Sequence, residues 1–170
     1  VPDTRLIERW LPIAEIGIES TRGLAAQKPP TNRLHVWWAR RPLVASRAAI
    51  LASLLPADAD RQKFMHVLGI HGDPVKARRL IDQARRTGVR VENPYGYERA
   101  FGYLPNEHDL TWLKHSTRNA GVVVLDPTAG GGSIPFEAIR LGLTTQANDL
   151  NPVAVLIMQA TFEWPVKYGC

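Results

Sequence analysis

From residue 5 to residue 27 the apolar positions Leu6, Ile7, Trp10, Leu11, Ile13, Ile16 and Ile18 recur at mixed helical spacing, broken by Pro12. They predict one or two short helices. Pro29 and Pro30, followed by Thr31 and Asn32, predict a loop. The stretch Pro42 to Leu55 is rich in Ala and Leu and free of Gly, and predicts a helix with Pro42 in its first turn and Pro56 as its stop. "DPVKARRLIDQARRTG" predicts another, capped by Asp73, with Pro74 in the first position, Gly88 as its end and its arginines on the solvated side. "VRVENPYGYERAFGYLPNEHD" reads as loop with aromatics interleaved, and "LTWLKHSTRN" as a short helix.

The pattern changes at Val122. Val122 to Leu125 is a short continuous apolar run, as in a parallel strand buried on both faces, ended by Asp126 and Pro127. Gly130, Gly131 and Gly132 permit positive φ and close approach of a ligand, and Ser133 is placed to cap a helix. That helix, Ile134 to Leu141, is expected to expose Glu137 and Arg140 and to end at Gly142, before a second strand, "TTQANDL", ending at Asp149. The expected fold class is α/β. A helical part, residues 1–120, precedes the first β-α-β unit of a Rossmann-like, doubly wound sheet, residues 121–170, incomplete within this chain.

Charge divides the chain at the same place. Residues 1–120 hold 19 of the 21 Lys and Arg but only 12 of the 16 Asp and Glu, so the basic excess lies in the helical part. Such an excess points to a polyanionic partner, with nucleic acid the usual candidate, set against a merely solvated Arg-rich surface. The one cysteine, Cys170, excludes an intrachain disulfide and a multi-cysteine zinc site in this chain. With no apolar run near the roughly 18 residues of a membrane span and acids throughout the first 20 residues, a reducing cytoplasm is the expected setting. His35, His66, His71, His108 and His115 lack partners at ligand spacing; no metal is expected, and His66 and His71 read as exposed loop residues.

Two nucleotide fingerprints fail on spacing. Counting from Gly130 and Gly132, the third glycine of G-x-G-x-x-G falls on Pro135, and Gly132-Ser133 has no lysine between, as a phosphate-cradling P-loop needs. What remains is an acid before the glycines, Asp126, and a second acid, Asp149, at the end of the next strand. The second can take both ribose hydroxyls, and the first suits a cationic ligand better than a pyrophosphate. S-adenosyl-L-methionine has a ribose, a sulfonium and an ammonium.

"LDPTAGGGSIPFEAIRLG", "ANDLNPVAVLI" and, upstream, "LHVWWARRPLVASRAAILASLLP" together resemble the adenine-specific DNA methylase family, S-adenosylmethionine-dependent enzymes with an uncharacterised N-terminal domain and, further along, a zinc ribbon. The resemblance covers most of residues 5–55 and 120–165. It implies that Asp126, Pro127, Gly130, Gly131 and Gly132 form the cofactor loop, with Asp126 near the methionine end, Asp149 on the ribose and Leu150 against the adenine. His35, Ala39, Arg40 and Pro42 form H-x-x-x-A-R-x-P, similar to a segment that in several amino-methyltransferase classes lies against the methionine moiety. Arg40 or Arg41 could pair with its carboxylate. Arginines gain nothing from the amino end of a helix, so a bound anion, either carboxylate or phosphate, suits this position; Arg41 and Arg47 are the candidates for DNA phosphate.

Asn93-Pro94-Tyr95 lacks the second proline of the Asp/Asn-Pro-Pro-Tyr/Phe segment that holds the target amine, and precedes the glycines; it reads as a turn. No catalytic residue is therefore expected here, and the chain reads as the front part of a longer DNA methyltransferase, inactive alone. Cytosine-N4 or RNA methylation remain open, as does a non-catalytic nucleic-acid-binding or interaction module with a vestigial glycine loop.

Overall fold

The structure is a computed structural model and describes residues 4–24, 34–39, 41–117 and 121–169. A turn of 3-10 helix, Leu6–Glu8, buries Leu6 and leads into α1, Ile13–Leu24. Pro12 does not interrupt a helix; it lies before one, its carbonyl accepting from Ile16 N at 2.9 Å. Helix α2, Leu43–Leu54, follows Pro42, which is the residue before the first turn and not within it. Its sequence is apolar nearly all round, and such a helix belongs in the middle of a fold. Accordingly Leu43, Val44, Ala48, Ile50, Leu51 and Ala52 are all buried.

The segment after Pro56 forms a helix that its periodicity does not announce, α3, Arg61–Leu68. Asp60 caps it, accepting from Gln62 N at 2.8 Å and Lys63 N at 3.1 Å, and Gly69 ends it at φ 87°. Helix α4, Pro74–Thr87, has the expected ends: Asp73 accepts from Lys76 N at 2.8 Å, and Gly88 is left-handed. The aromatic segment that follows is irregular apart from a 3-10 turn, Ala100–Gly102. It is tied to α1 by the buried Glu19, which accepts from the Tyr97 hydroxyl at 2.8 Å and Ala100 N at 3.1 Å. Helix α5, Glu107–Ser116, opens with a reciprocal cap between Asn106 and Asp109.

The chain is a mixed α/β structure whose sheet is small. Strand β1, Val123–Asp126, pairs in parallel with β2, Thr144–Ala147, with Asp126 opposite Ala147. Helix α6, Ser133–Arg140, connects them, and α7, Pro152–Met158, continues through a π-helical turn, Gln159–Glu163, into α8, Trp164–Tyr168. β1 is not buried on both faces. Val123 and Leu125 are 47% and 65% exposed, because helices cover one side only and, among the described residues, no third strand pairs with the sheet.

α6 lies against α2, and one apolar cluster takes Val44, Leu51, Phe64 and Leu68 from before residue 120 and Ala138 and Leu141 from after it. Glu137 belongs to this contact and is fully buried, contrary to the exposure expected for it. Arg47 Nε donates to Glu137 Oε2 at 2.6 Å, and Arg140 Nη1 donates to Oε1 at 2.8 Å, so two guanidinium groups compensate one carboxylate. Arg140 also donates to the carbonyls of Phe101 and Tyr103, which fixes the aromatic segment against α6.

Candidate functional site

The carboxyl ends of β1 and β2 carry Asp126 and Asp149, with the glycines between. Asp126 is buried, and its Oδ1 accepts from Thr128 N at 3.2 Å, turning the chain as soon as the strand ends. Asn148 N donates to Asp126 O, and Ala129 N donates to Asn148 O, each at 2.9 Å, which holds the two strand ends together. Asp149 then reaches across: Oδ2 accepts from Gly130 N at 2.8 Å and Oδ1 from Asn151 N at 2.8 Å. The backbone N–H groups of Asn151 and Gly130 hold its carboxyl below the usual range, so it stays ionised. Two residues after Asp149, Asn151 caps α7.

The glycines are required by geometry. Gly130 and Gly132 have φ of 52° and 76°. A Cβ on Gly130 would come within 2.6 Å of Trp37 Nε1, and one on Gly131 within 2.8 Å of Trp37 Cβ. On Gly132 it would come within 2.7 Å of Phe162. Trp37 thus lies directly on the loop, a neighbour that loop composition alone does not reveal. Gly132 also takes the capping position of α6; Ser133 is the first helical residue and caps nothing.

Trp37, Arg41, Asp126, Asp149 and the loop from Thr128 to Gly131 enclose a cavity of about 250 Å³. Arg41 is exposed at its edge. Leu150 is 96% exposed beside Asp149, so it presents an open apolar face and is no part of the core. Pro127 is exposed, and His35 is exposed and does not bound the cavity. Arg40 lies outside the described residues. Arg47 is a correction: it is fully buried against Glu137, behind the loop helix, and has no surface with which to meet a DNA phosphate.

Asn93-Pro94-Tyr95 is a turn, as its single proline suggests, and Arg22 stacks over the Tyr95 ring at 4.0 Å. His66 and His71 are not equivalent loop residues. His66 lies in the last turn of α3 with its ring stacked on His71 at 4.8 Å between centroids, and Tyr103 OH lies 3.0 Å from its Nε2. Tyr103 also donates to Asp109, as does Lys63 Nζ at 2.7 Å. Burial pushes Tyr103 up to about 12, helped by its bond to Asp109. Burial raises Asp109, but the hydrogen bonds from Lys63 and Tyr103 outweigh it and the carboxyl is held low. Burial also lowers His66, more than Asp109 raises it, so this imidazole is neutral near pH 7. These residues join α3 to α5 across sequence gaps of more than 40 positions, with no local signal. Among the described residues no group of three or more His, Cys, Asp or Glu could hold a metal ion, and no helix is long and apolar enough to cross a membrane.

Fold and site therefore define a mixed α/β protein with a parallel β-α-β unit whose glycine loop is bracketed by two acids. Residues 10–68 are similar to a family described as a protein of unknown function, DUF1156. That match takes in α1, α2, α3 and the Trp37 segment and stops before the glycine loop. No curated protein and no solved structure matches the chain.

Proposed function

We propose that the acid-bracketed loop binds S-adenosyl-L-methionine, and that the chain is the cofactor-binding part of a DNA methyltransferase acting on adenine N6. The β-α-β unit is then the start of a Rossmann-like sheet, with its ligand at the carboxyl ends of the strands. The observation that carries the reading is Asp149, held at the end of β2 by Gly130 N and Asn151 N at 2.8 Å each. An ionised carboxylate has about four acceptor positions. The two N–H bonds orient it and leave capacity for two ribose hydroxyls.

The residues present fit that cofactor in kind. Asp126 Oδ1 accepts one backbone N–H, and among the described residues Oδ2 has no hydrogen-bond partner, so the buried carboxylate retains capacity for a cationic group. Leu150 offers its open face to an adenine ring. A cavity of about 250 Å³ is smaller than the roughly 300–1,000 Å³ of ordinary ligand pockets. The nucleoside would accordingly extend outward over Leu150, and Trp37 would border the methionine end. When bound, the cofactor supplies an electrophilic methyl group. Asp149 orients it through the ribose, Asp126 offsets its positive end, and Arg41 at the cavity edge is placed to meet its carboxylate. No Asp/Asn-Pro-Pro-aromatic string occurs in the 170 residues, so these residues bind and orient, and holding the target amine is not assigned to them.

A second reading has its own observation. The close fit of Trp37 and Phe162 is enough to require all three glycines, so the loop could serve packing alone, in a nucleic-acid-binding module without a cofactor. Calorimetric titration with S-adenosylhomocysteine separates the two. Saturable binding that Asp149→Ala weakens about tenfold, or about 1.4 kcal/mol, is the expected result. Absence of binding by the folded chain supports the packing role.

A further inference from the structure

Helix α4 and the turn after it hold a charge imbalance as large as that of the whole chain, whose net charge is +5. Residues 74–90 carry Lys76, Arg78, Arg79, Arg85, Arg86 and Arg90 against one acid, Asp82. Asp82 is shared by Arg78 at 3.2 Å and Arg85 at 3.9 Å. Among the described residues, Lys76, Arg79, Arg86 and Arg90 have no carboxylate within ion-pair distance.

These cations are ordered by the helix. At 3.6 residues per turn, Lys76, Arg79, Gln83 and Arg86 fall within an arc of about 80°, on the side away from the buried Pro74 and Ala77. All four are exposed. Lys76 to Arg86 spans about 15 Å along the axis. One strand of a duplex presents a phosphate about every 3.4 Å, so that length faces about four of them. The buried side of α4 is taken by α1, which leaves the cationic side for a partner; the exposed apolar residues Leu80 and Val89 are too few to make a face that enters a bilayer.

We propose that this face of α4 is a docking surface for the phosphate backbone of double-stranded nucleic acid. It rests on the methyltransferase reading only for the identity of the partner, and it places on α4 the phosphate contacts that the buried Arg47 cannot make. Arginine forks and a lysine without carboxylate partners neutralise phosphates without reading bases, so the surface positions the duplex and leaves sequence choice to other residues.

The test is binding of a labelled 20-base-pair duplex from about 50 to 200 mM salt, without cofactor, by the 170-residue chain and by a variant carrying Lys76→Gln, Arg79→Gln and Arg86→Gln. A control variant carries Arg9→Gln, Lys114→Gln and Lys167→Gln, three exposed cations elsewhere. The α4 variant is expected to bind about tenfold or more weakly at low salt, and to lower the slope of log K against log salt by about 2 to 3. All substituted residues are exposed, and an unchanged thermal midpoint confirms the fold. An α4 variant that binds like the parent, a control variant equally impaired, or a parent that binds no duplex overturns the proposal. So does binding of phosphatidylserine vesicles, in place of duplex, that the α4 substitutions abolish. S-adenosylhomocysteine titration of the same proteins is read separately. A parent that binds no cofactor yet shows the α4 salt effect refutes the methyltransferase reading and leaves this surface standing.

Discussion

Glu137 shows how much one side chain holds. Its carboxylate lies between Arg47 and Arg140 with no exposed surface, at the contact between α2 and α6. Removing one member of such a group leaves charge buried without compensation, which costs about 3–5 kcal/mol, whereas replacing both partners of the pair by apolar groups can be close to neutral. Glu137→Gln is therefore expected to lower the urea midpoint strongly. The triple change Arg47→Met, Glu137→Leu and Arg140→Met, which removes all three charges, should recover most of the loss, and an equal loss in both would show that packing, not charge, governs the site. None of this could be read from the sequence. Glu137 and Arg140 follow a glycine turn in what looks like a solvated helix, and the partner Arg47 stands 90 residues away. The acids and glycines were legible because their spacing is local; Trp37 and Phe162 were not, because they arrive from distant segments.

At the scale of elements, ends were more legible than burial. Asp73 and Gly88 bound α4 as their residue types suggest. The same signals, Asp60 and Gly69, bound α3, but three polar residues, Arg61, Gln62 and Lys63, open it and hide its short apolar set. The two glycine ends differ physically. Gly88 has φ 71° in open space, so Gly88→Ala should cost about 1–2 kcal/mol, the penalty for a left-handed alanine. Gly69 has φ 87°, and a Cβ there would come within 2.6 Å of Ala100 O and 2.7 Å of Tyr103 Cβ. Gly69→Ala should lose about 1–3 kcal/mol beyond that, measured by denaturant titration of the two variants side by side. β1 was misjudged for a related reason: an apolar run reports that a strand can be covered on both faces, not that both are covered in this chain.

For the whole molecule, the change in charge near residue 120 is not a boundary in the core. Phe64 and Leu68 share one apolar cluster with Ala138 and Leu141, and the loop helix is fastened to α2. A chain ending at residue 120 loses those apolar partners and leaves the Arg47 guanidinium without its carboxylate. It is expected to unfold over a broad, weakly cooperative thermal transition where the 170-residue chain melts sharply; a sharp transition in the shorter chain would show that its helices are self-sufficient.

The buried pair also has a bearing on the ribosome. Synthesis at roughly 5–20 residues per second separates the emergence of Arg47 from that of Glu137 by roughly 5–20 seconds. Throughout that interval α2 carries a cation in the middle of its apolar surface, which favours keeping that surface in water over closing it prematurely. Arrival of the glycine-loop helix removes the conflict, so a segment made later permits one made earlier to settle.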